Sequence, residues 1–230
     1  MRKVLTIFLI LFIILSVFAE ILVPQWAEST LQKGIMNRTA SNDVQISLDS
    51  SPRALICLGD IGTVRGVLHD GKIGELQVSE LTLDGEGVRI DLPMLISDQK
   101  LLLKSAKKLE MHGIVTEDNL RELLSRKVER LENLEVKMTP EEVKATANIK
   151  FMGRMADVDL TGILLADNGD LYFRMKKLNI RNALLRHFQM DNYFGDIQIT
   201  KPETLPLGFR FEEVTMQDGK TMVTAVRPAD

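Results

Sequence analysis

The chain has 230 residues, 45% apolar, 27% charged and only 5% aromatic, which is the composition of a globular domain of ordinary size and not of a disordered tail. A net charge of −3 with no basic block excludes nucleic acid as a main partner, and one Trp with two Tyr leaves little to stack on bases or sugar rings. The single cysteine, Cys57, rules out an internal disulfide and a Cys-based zinc site, and the apolar volume falls to Leu, Ile, Val and 11 Met.

Residues 4–23 (VLTIFLILFIILSVFAEILV) are apolar except for Thr6, Ser16 and Glu20, and they follow Arg2 and Lys3. A helix of about twenty residues rises about 30 Å, enough to cross the hydrocarbon core, and the two leading cations favour a cytoplasmic N-terminus. This predicts an N-terminal apolar helix that anchors the chain in the cell membrane, with residues 24–230 forming one domain on the extracytoplasmic side. The competing reading is a cleaved signal peptide, with Val17, Phe18 and Ala19 as an acceptable site before Glu20. The apolar run continues past that site through Ile21, Leu22 and Val23, which favours the anchor. Either way the domain is exported, and loss of residues 1–19 removes two cations and no acid, leaving it more acidic.

After Pro24, the spacing of Ala27, Leu31 and Ile35 predicts an amphipathic helix over 24–37. Val44, Ile46 and Leu48 alternate with polar residues as in a half-buried strand, and a short apolar turn over 52–58 ends at Gly59. From residue 61 to 92 the pattern reads as three strands separated by hairpin turns at Asp70-Gly71 and at 84–87, with an alternation slip at Ser79-Glu80 that predicts a bulge. Residues 101–115 read as another long strand.

Thr116 is placed to cap a helix running to about Leu131, with Leu120, Leu123, Leu124, Val128 and Leu131 on one side and Arg121, Glu122, Arg126, Glu129 and Arg130 on the other. Strands follow over 136–138, 143–151, 155–165 and 171–180, joined by turns at Thr139-Pro140-Glu141 and at Asp167-Asn168-Gly169-Asp170. A helical stretch over 182–188 and a Pro-rich connection lead to two last strands, 209–216 and 221–226, which close on Asp218-Gly219. The plan is α+β: a long, strongly coiled antiparallel sheet of eight or more strands against which two amphipathic helices bury their stripes, with a weak internal twofold repeat in the order of elements.

Motifs of chemistry are sparse. The 167–170 segment lacks the remaining oxygen ligands of a calcium loop and reads as a hairpin turn. Gly59-Asp60-Ile61-Gly62 lacks the Lys of a phosphate loop and leads into a strand. His69, His112 and His187 lie in separate elements, and no nucleophile elbow or zinc-helix motif occurs, so no catalytic residue, metal site or cofactor is expected. Cys57, between Ile56 and Leu58, reads as a buried inert thiol. The distributed signal is an apolar, Met-rich, deformable interior, which is either an ordinary packed core or a cavity that holds lipid.

The order of segments resembles a family. Residues 52–95 (PRALICLGDIGTVRGVLHDGKIGELQVSELTLDGEGVRIDLPML) carry a short apolar turn ending in Gly, a strand and a "v-s-x-L-t-l-d-G" strand. Residues 112–120 (HGIVTEDNL) follow a "g-x-v-T-e-x-x-L" strand-to-helix junction, and residues 204–209 (TLPLGF) an "l-P-l-g-f" turn. Together these resemble the LmeA-like phospholipid-binding domain of bacteria, over about residues 24–226.

The resemblance implies a tubular, TULIP-like fold, in which a coiled sheet surrounds long helices and leaves an apolar groove for acyl chains. It implies an exported protein of the cell envelope that binds phospholipid and catalyses nothing, with the membrane as its other partner through residues 4–23. Acyl chains would lie against Leu31, Ile35, Leu120, Leu124, Val128, Val143, Ile149 and Phe151. Arg121, Arg126, Lys127 and Arg130 form the nearest cationic cluster for an anionic headgroup. The alternative is an envelope scaffold with a dry core and no lipid ligand, binding a protein partner that the sequence does not name.

Overall fold

Alternating apolar and polar residues dominate the chain, and strands dominate its structure. A computed structural model describes residues 28–29, 32, 43–73, 76–98, 102–127, 131–151, 154–181, 188–191, 196–200 and 205–228. The strands are β1 (Asp43–Asp49), β2 (Asp60–Ile73), β3 (Leu76–Ile90), β4 (Leu103–Ser105), β5 (Lys108–Thr116), β6 (Leu131–Met138), β7 (Val143–Phe151), β8 (Arg154–Asp167), β9 (Asp170–Arg181), β10 (Phe188–Asp191), β11 (Ile197–Thr200), β12 (Arg210–Gln217) and β13 (Lys220–Val226). Among the described residues they are accompanied by the α-helices α1 (Leu92–Asp98) and α2 (Glu117–Lys127), by helical residues at 28, 29 and 32, and by 3-10 turns at Arg53–Leu58 and Pro206–Gly208.

These strands form two sheets instead of the single one expected. The first has the order β1-β2-β3-β5-β13-β12, with β4 also on β3; the second has the order β10-β9-β8-β7-β6, with β11 also on β9. Contacts divide the chain into two compact units. One takes the chain up to Leu68 together with Thr82–Glu110; the other takes His69–Leu81 and Met111–Pro228. Strands β2, β3 and β5 give residues to both.

In the first unit, the outer strand β1 has its backbone groups met by side chains. The Glu28 carboxylate accepts the Leu48 N–H at 2.9 Å, and the Gln32 amide donates to the Val44 carbonyl. Glu28, Ser29 and Gln32 are helical and are the described part of the helix expected over 24–37. Blocking an outer strand in this way leaves fewer free groups for another chain to pair with.

Neither turn expected within 61–92 falls at its expected place, although β2 and β3 do lie side by side in the sheet. Strand β2 runs through Asp70-Gly71 to Ile73, and β3 runs unbroken through 84–87. The glycines there answer to packing. A Cβ on Gly85 would lie 2.6 Å from Val64 and 2.8 Å from Leu109, and Gly87 sits at φ +56° over the Lys107 side chain. The buried positions of β3 do change phase along the strand, from Leu76 and Val78 to Gly85 and then to Val88 and Ile90, as the slip at Ser79-Glu80 suggested. The long strand expected over 101–115 is two, β4 and β5.

In the second unit, Thr116 caps α2 as expected, reciprocally with Asn119. The Asn119 N–H donates to Thr116 Oγ1 at 3.3 Å and the Thr116 N–H to Asn119 Oδ1 at 3.0 Å. The helix ends at Lys127, short of Leu131, because Leu131 is held in β6 opposite Ile149. The 167–170 turn is a tight hairpin, with Asn168 at φ +51° and Gly169 at φ +89°. Phe188, expected to end a helix, opens β10; residues 182–187 lie outside the described residues. The architecture is α+β and sheet-dominated, with antiparallel pairing throughout the second sheet and between β12 and β13 and β3 and β4, and with α2 packed on β6. The described helices are few and short, so a sheet surrounding two long helices is not what these residues present.

Candidate functional site

The second sheet is amphipathic across its thickness. Register places Val143, Ala145, Ala147 and Ile149 of β7 beside Gly162, Leu160, Val158 and Ala156 of β8. These in turn lie beside Met175, Leu178 and Ile180 of β9, with Leu164 opposite Phe173 and Ala166 opposite Leu171. The opposite face is polar: Asn148 donates to Asp157 at 2.9 Å, and Arg181 pairs with Asp159 at 3.0 Å.

A bulge aligns the apolar face. Up to Gly162 the β8–β9 register is that of the tight turn; there it shifts by one, so that Thr161 meets Lys177 and Leu160 meets Leu178. Without the extra residue, Leu160 would face Lys177, and Leu178 and Ile180 would point to the polar side.

The two ends of this face differ in cover. At the turn end, Val143, Leu171 and Phe173 are fully buried, with Met138, Ala145 and Leu164 nearly so. Helix α2 begins there, with Glu117 accepting the Met138 N–H at 2.7 Å, and the helix, packed on β6, buries Leu120, Leu123 and Leu124. Strand β12 packs against β8 and β9, and the Phe211 N–H donates to the Gly169 carbonyl at 3.0 Å. Strand β11 is held on β9 by Gln198, which donates to Asp170 beside the Tyr172 hydroxyl of β9 itself, and by Arg174 with Asp196. At the other end, Ile149, Val158, Leu160, Leu178 and Ile180 are only half-buried, and the neighbours that are buried among them, Ala145, Ala147 and Ala156, are all small. Three adjacent strands about 4.8 Å apart thus carry a contiguous, partly exposed aliphatic strip.

Of the expected acyl-lining residues, Leu120 and Leu124 are buried under α2, Val143 is buried at the closed end of the sheet, and Ile149 lies on the open strip. Phe151 ends β7, while Leu31, Ile35 and Val128 lie outside the described residues. Among the headgroup candidates, Arg121 and Arg126 are exposed on the side of α2 away from its leucines. Arg121 pairs with Asp118 at 2.8 Å, and Arg126 donates to the Glu122 carbonyl. Lys127 ends α2, and Arg130 is outside the described residues. Sequence reasoning missed Val158, Leu160, Leu178 and Ile180. The signal was there: the apolar positions of β9 change from odd (171, 173, 175) to even (178, 180), which marks the bulge.

Among the described residues no group of three or more His, Cys, Asp or Glu side chains is placed to hold a metal ion. His112 shares a hydrogen bond with Thr224 at 3.1 Å. Tyr172, donating to Asp170 at 2.6 Å, has its phenol pushed above the ordinary tyrosine range by that bond, and more weakly by burial. Among the described residues no helix is long and apolar enough to cross a membrane, and residues 4–23 lie outside them.

No curated protein and no solved structure matches the chain. A family model described as LmeA-like phospholipid-binding does match, over residues 18–225, nearly the whole length, and the chain therefore belongs to the LmeA-like phospholipid-binding family.

Proposed function

We propose that this protein holds the acyl chains of a phospholipid, without covalent chemistry, on the half-open strip of its second sheet, and that it does so outside the cytoplasm while tethered to the membrane by residues 4–23. One observation carries the reading: a member of a phospholipid-binding family keeps five large aliphatic side chains together and only half-covered, on a sheet face whose other end is sealed. Burial of each CH₂ is worth about 0.8 kcal/mol, so half of a sixteen-carbon chain laid on such a strip contributes several kcal/mol with no polar contact. The TULIP-like character of the fold is part of the same proposal, as is a role in envelope lipid homeostasis. Binding of this kind needs no nucleophile and no cofactor, and we read the protein as a non-enzyme.

The test is photolabelling of the full chain in phosphatidylcholine vesicles with a phospholipid carrying a diazirine near its acyl terminus, followed by peptide mass spectrometry. Label is expected on the peptides holding Ile149, Val158, Leu160, Leu178 and Ile180. Label confined to residues 4–23 would sink the reading and favour the dry-core scaffold, to which the tight packing of Leu120 and Leu124 under α2 and of Val143 at the closed end already lends support.

A further inference from the structure

The first unit carries an apolar feature that the strip does not use. Three of the five large hydrophobic side chains most exposed among the described residues are Leu58 at 76%, Leu102 at 45% and Met94 at 39%. They come from three separate stretches of chain, the 3-10 turn, α1 and the residue before β4, and hydrogen bonds gather the backbone at these places around one dipeptide, Ile90-Asp91. Leu58 ends the 3-10 turn beside Gly59, whose carbonyl accepts the Ile90 N–H at 2.8 Å; the Leu102 carbonyl accepts the Asp91 N–H at 2.9 Å. The Met94 N–H donates to Asp91 Oδ1 at 3.2 Å.

The surrounding charges cancel. Arg89 pairs with Asp60 at 3.2 Å, Lys104 with Asp91 at 3.1 Å and Arg53 with Asp49 at 3.8 Å. An apolar tip ringed by balanced pairs has no net field with which to attract a charged partner. It is also small. A stable protein partner covers about 800 Å² on each side, with roughly 20–30 residues, far more than three side chains offer. Three protruding aliphatic groups suit a fluid surface that closes around each of them, and phospholipid is met in water almost entirely as bilayer.

We infer that Leu58, Met94 and Leu102 form a docking tip that inserts into the surface of a phospholipid bilayer. This rests on the lipid-binding reading above, since a protein that takes up phospholipid must touch the bilayer that supplies it. Insertion is driven by apolar contact, so it takes place equally on neutral and anionic bilayers and is insensitive to salt.

The experiment uses the full chain with Cys57→Ser, reconstituted in phosphatidylcholine vesicles. Leu58→Cys, Met94→Cys, Leu102→Cys and, as control, Thr146→Cys on the exposed polar face of β7 are each labelled with an environment-sensitive dye, and quenching by nitroxide on lipid acyl chains is read. Quenching at 58, 94 and 102 severalfold stronger than at 146, and unchanged when anionic lipid or salt is added, is the expected result. Quenching at the three positions no stronger than at 146, or only with anionic lipid, overturns the inference. In a second arm, Leu58→Ser, Met94→Ser and Leu102→Ser together reduce photolabelling of the 149–180 strip severalfold with no loss of the cooperative melt; unreduced labelling overturns the tip. Labelling of the strip in the wild-type chain reads the lipid-binding proposal separately, so failure of the tip and failure of the strip are told apart.

Discussion

Val143 and Ile149 stand on the same face of the same strand, yet one is sealed and the other half-open. The contrast runs across the whole second sheet: Phe173 against Ile180 on β9, and Leu164 against Val158 on β8. Residue type alone does not explain it, because Val143 and Leu164 at one end and Val158 and Leu160 at the other are the same side chains with different cover. The difference lies in what comes to cover each end. Strand β12, the β12–β13 turn and the start of α2 come to the turn end, where the Asn168-Gly169 reversal brings β8 and β9 into contact with β12, while on the edge of β9 strand β11 pairs at that end and β10 at the other. A sheet face that alternates cleanly is thus a core only where something closes over it.

Cavity formation measures that cover most directly. Phe173→Ala is expected to lower stability by about 3–5 kcal/mol, whereas Leu178→Ala at the half-open end costs about 1 kcal/mol, because water and mobile side chains already reach it. Urea denaturation of the two variants checks the ratio; equal losses would erase the distinction between the ends. Gly162→Ala comes next. Its Cβ would lie 2.5 Å from both the Arg174 carbonyl oxygen and the Phe173 ring, so the closed end is overpacked at a cost of about 1–3 kcal/mol. Phe173→Leu in the same chain removes part of the clash and is expected to return some of that loss.

Much of this was legible in the residues. Tight turns were read where the chemistry is local: Asn168-Gly169, Asp218-Gly219, and Thr139 with Pro140, where Thr139 and Glu142 close the loop on each other. The cap at Thr116 was local too. What escaped was decided at a distance. Asp84-Gly85 looks like a hairpin, but its glycine is required by Val64 and Leu109, which lie far away in sequence. The stripe that carried α2 to Leu131 is real as a pattern, and cross-strand pairing with Ile149 claims its last member for β6. The open strip was missed for a related reason. Leu178 and Ile180 join Leu160 and Val158 only through a one-residue bulge, and phosphatidyl chemistry entered through family resemblance, not through any of these positions.

The covering helix gives a smaller effect than the sheet it covers. Thr116→Ala removes the acceptor of the Asn119 N–H and frees the start of α2, at a cost of about 1 kcal/mol. The loss is expected to appear as faster amide exchange at Leu120, Leu123 and Leu124, with exchange at Leu178 and Ile180 unchanged. Equal acceleration at both ends would mean that the two are not separately covered.

The smallest expected effect tests the last piece of cover, β11, through pH. Arg174 donates to both carboxylate oxygens of Asp196, at 3.0 Å from Nε and 2.7 Å from Nη2, and this holds the Asp196 carboxyl below its ordinary value of 3.8 against a weaker opposing push from burial. Because the folded value is the depressed one, the stabilisation is complete above 3.8 and drains away as pH falls through the lower, folded value. Asp196→Asn is therefore expected to melt slightly below the wild-type chain at neutral pH, with the gap closing on acidification below 3.8 and shrinking at high salt, since the pair is partly exposed. Amide exchange at Phe173, opposite Ile197, should follow the same pH course, while Ile180 stays level. A gap that widens in acid would place the role of Asp196 elsewhere than in this ion pair, and an Ile180 response equal to that of Phe173 would remove β11 from the cover that makes the two ends different.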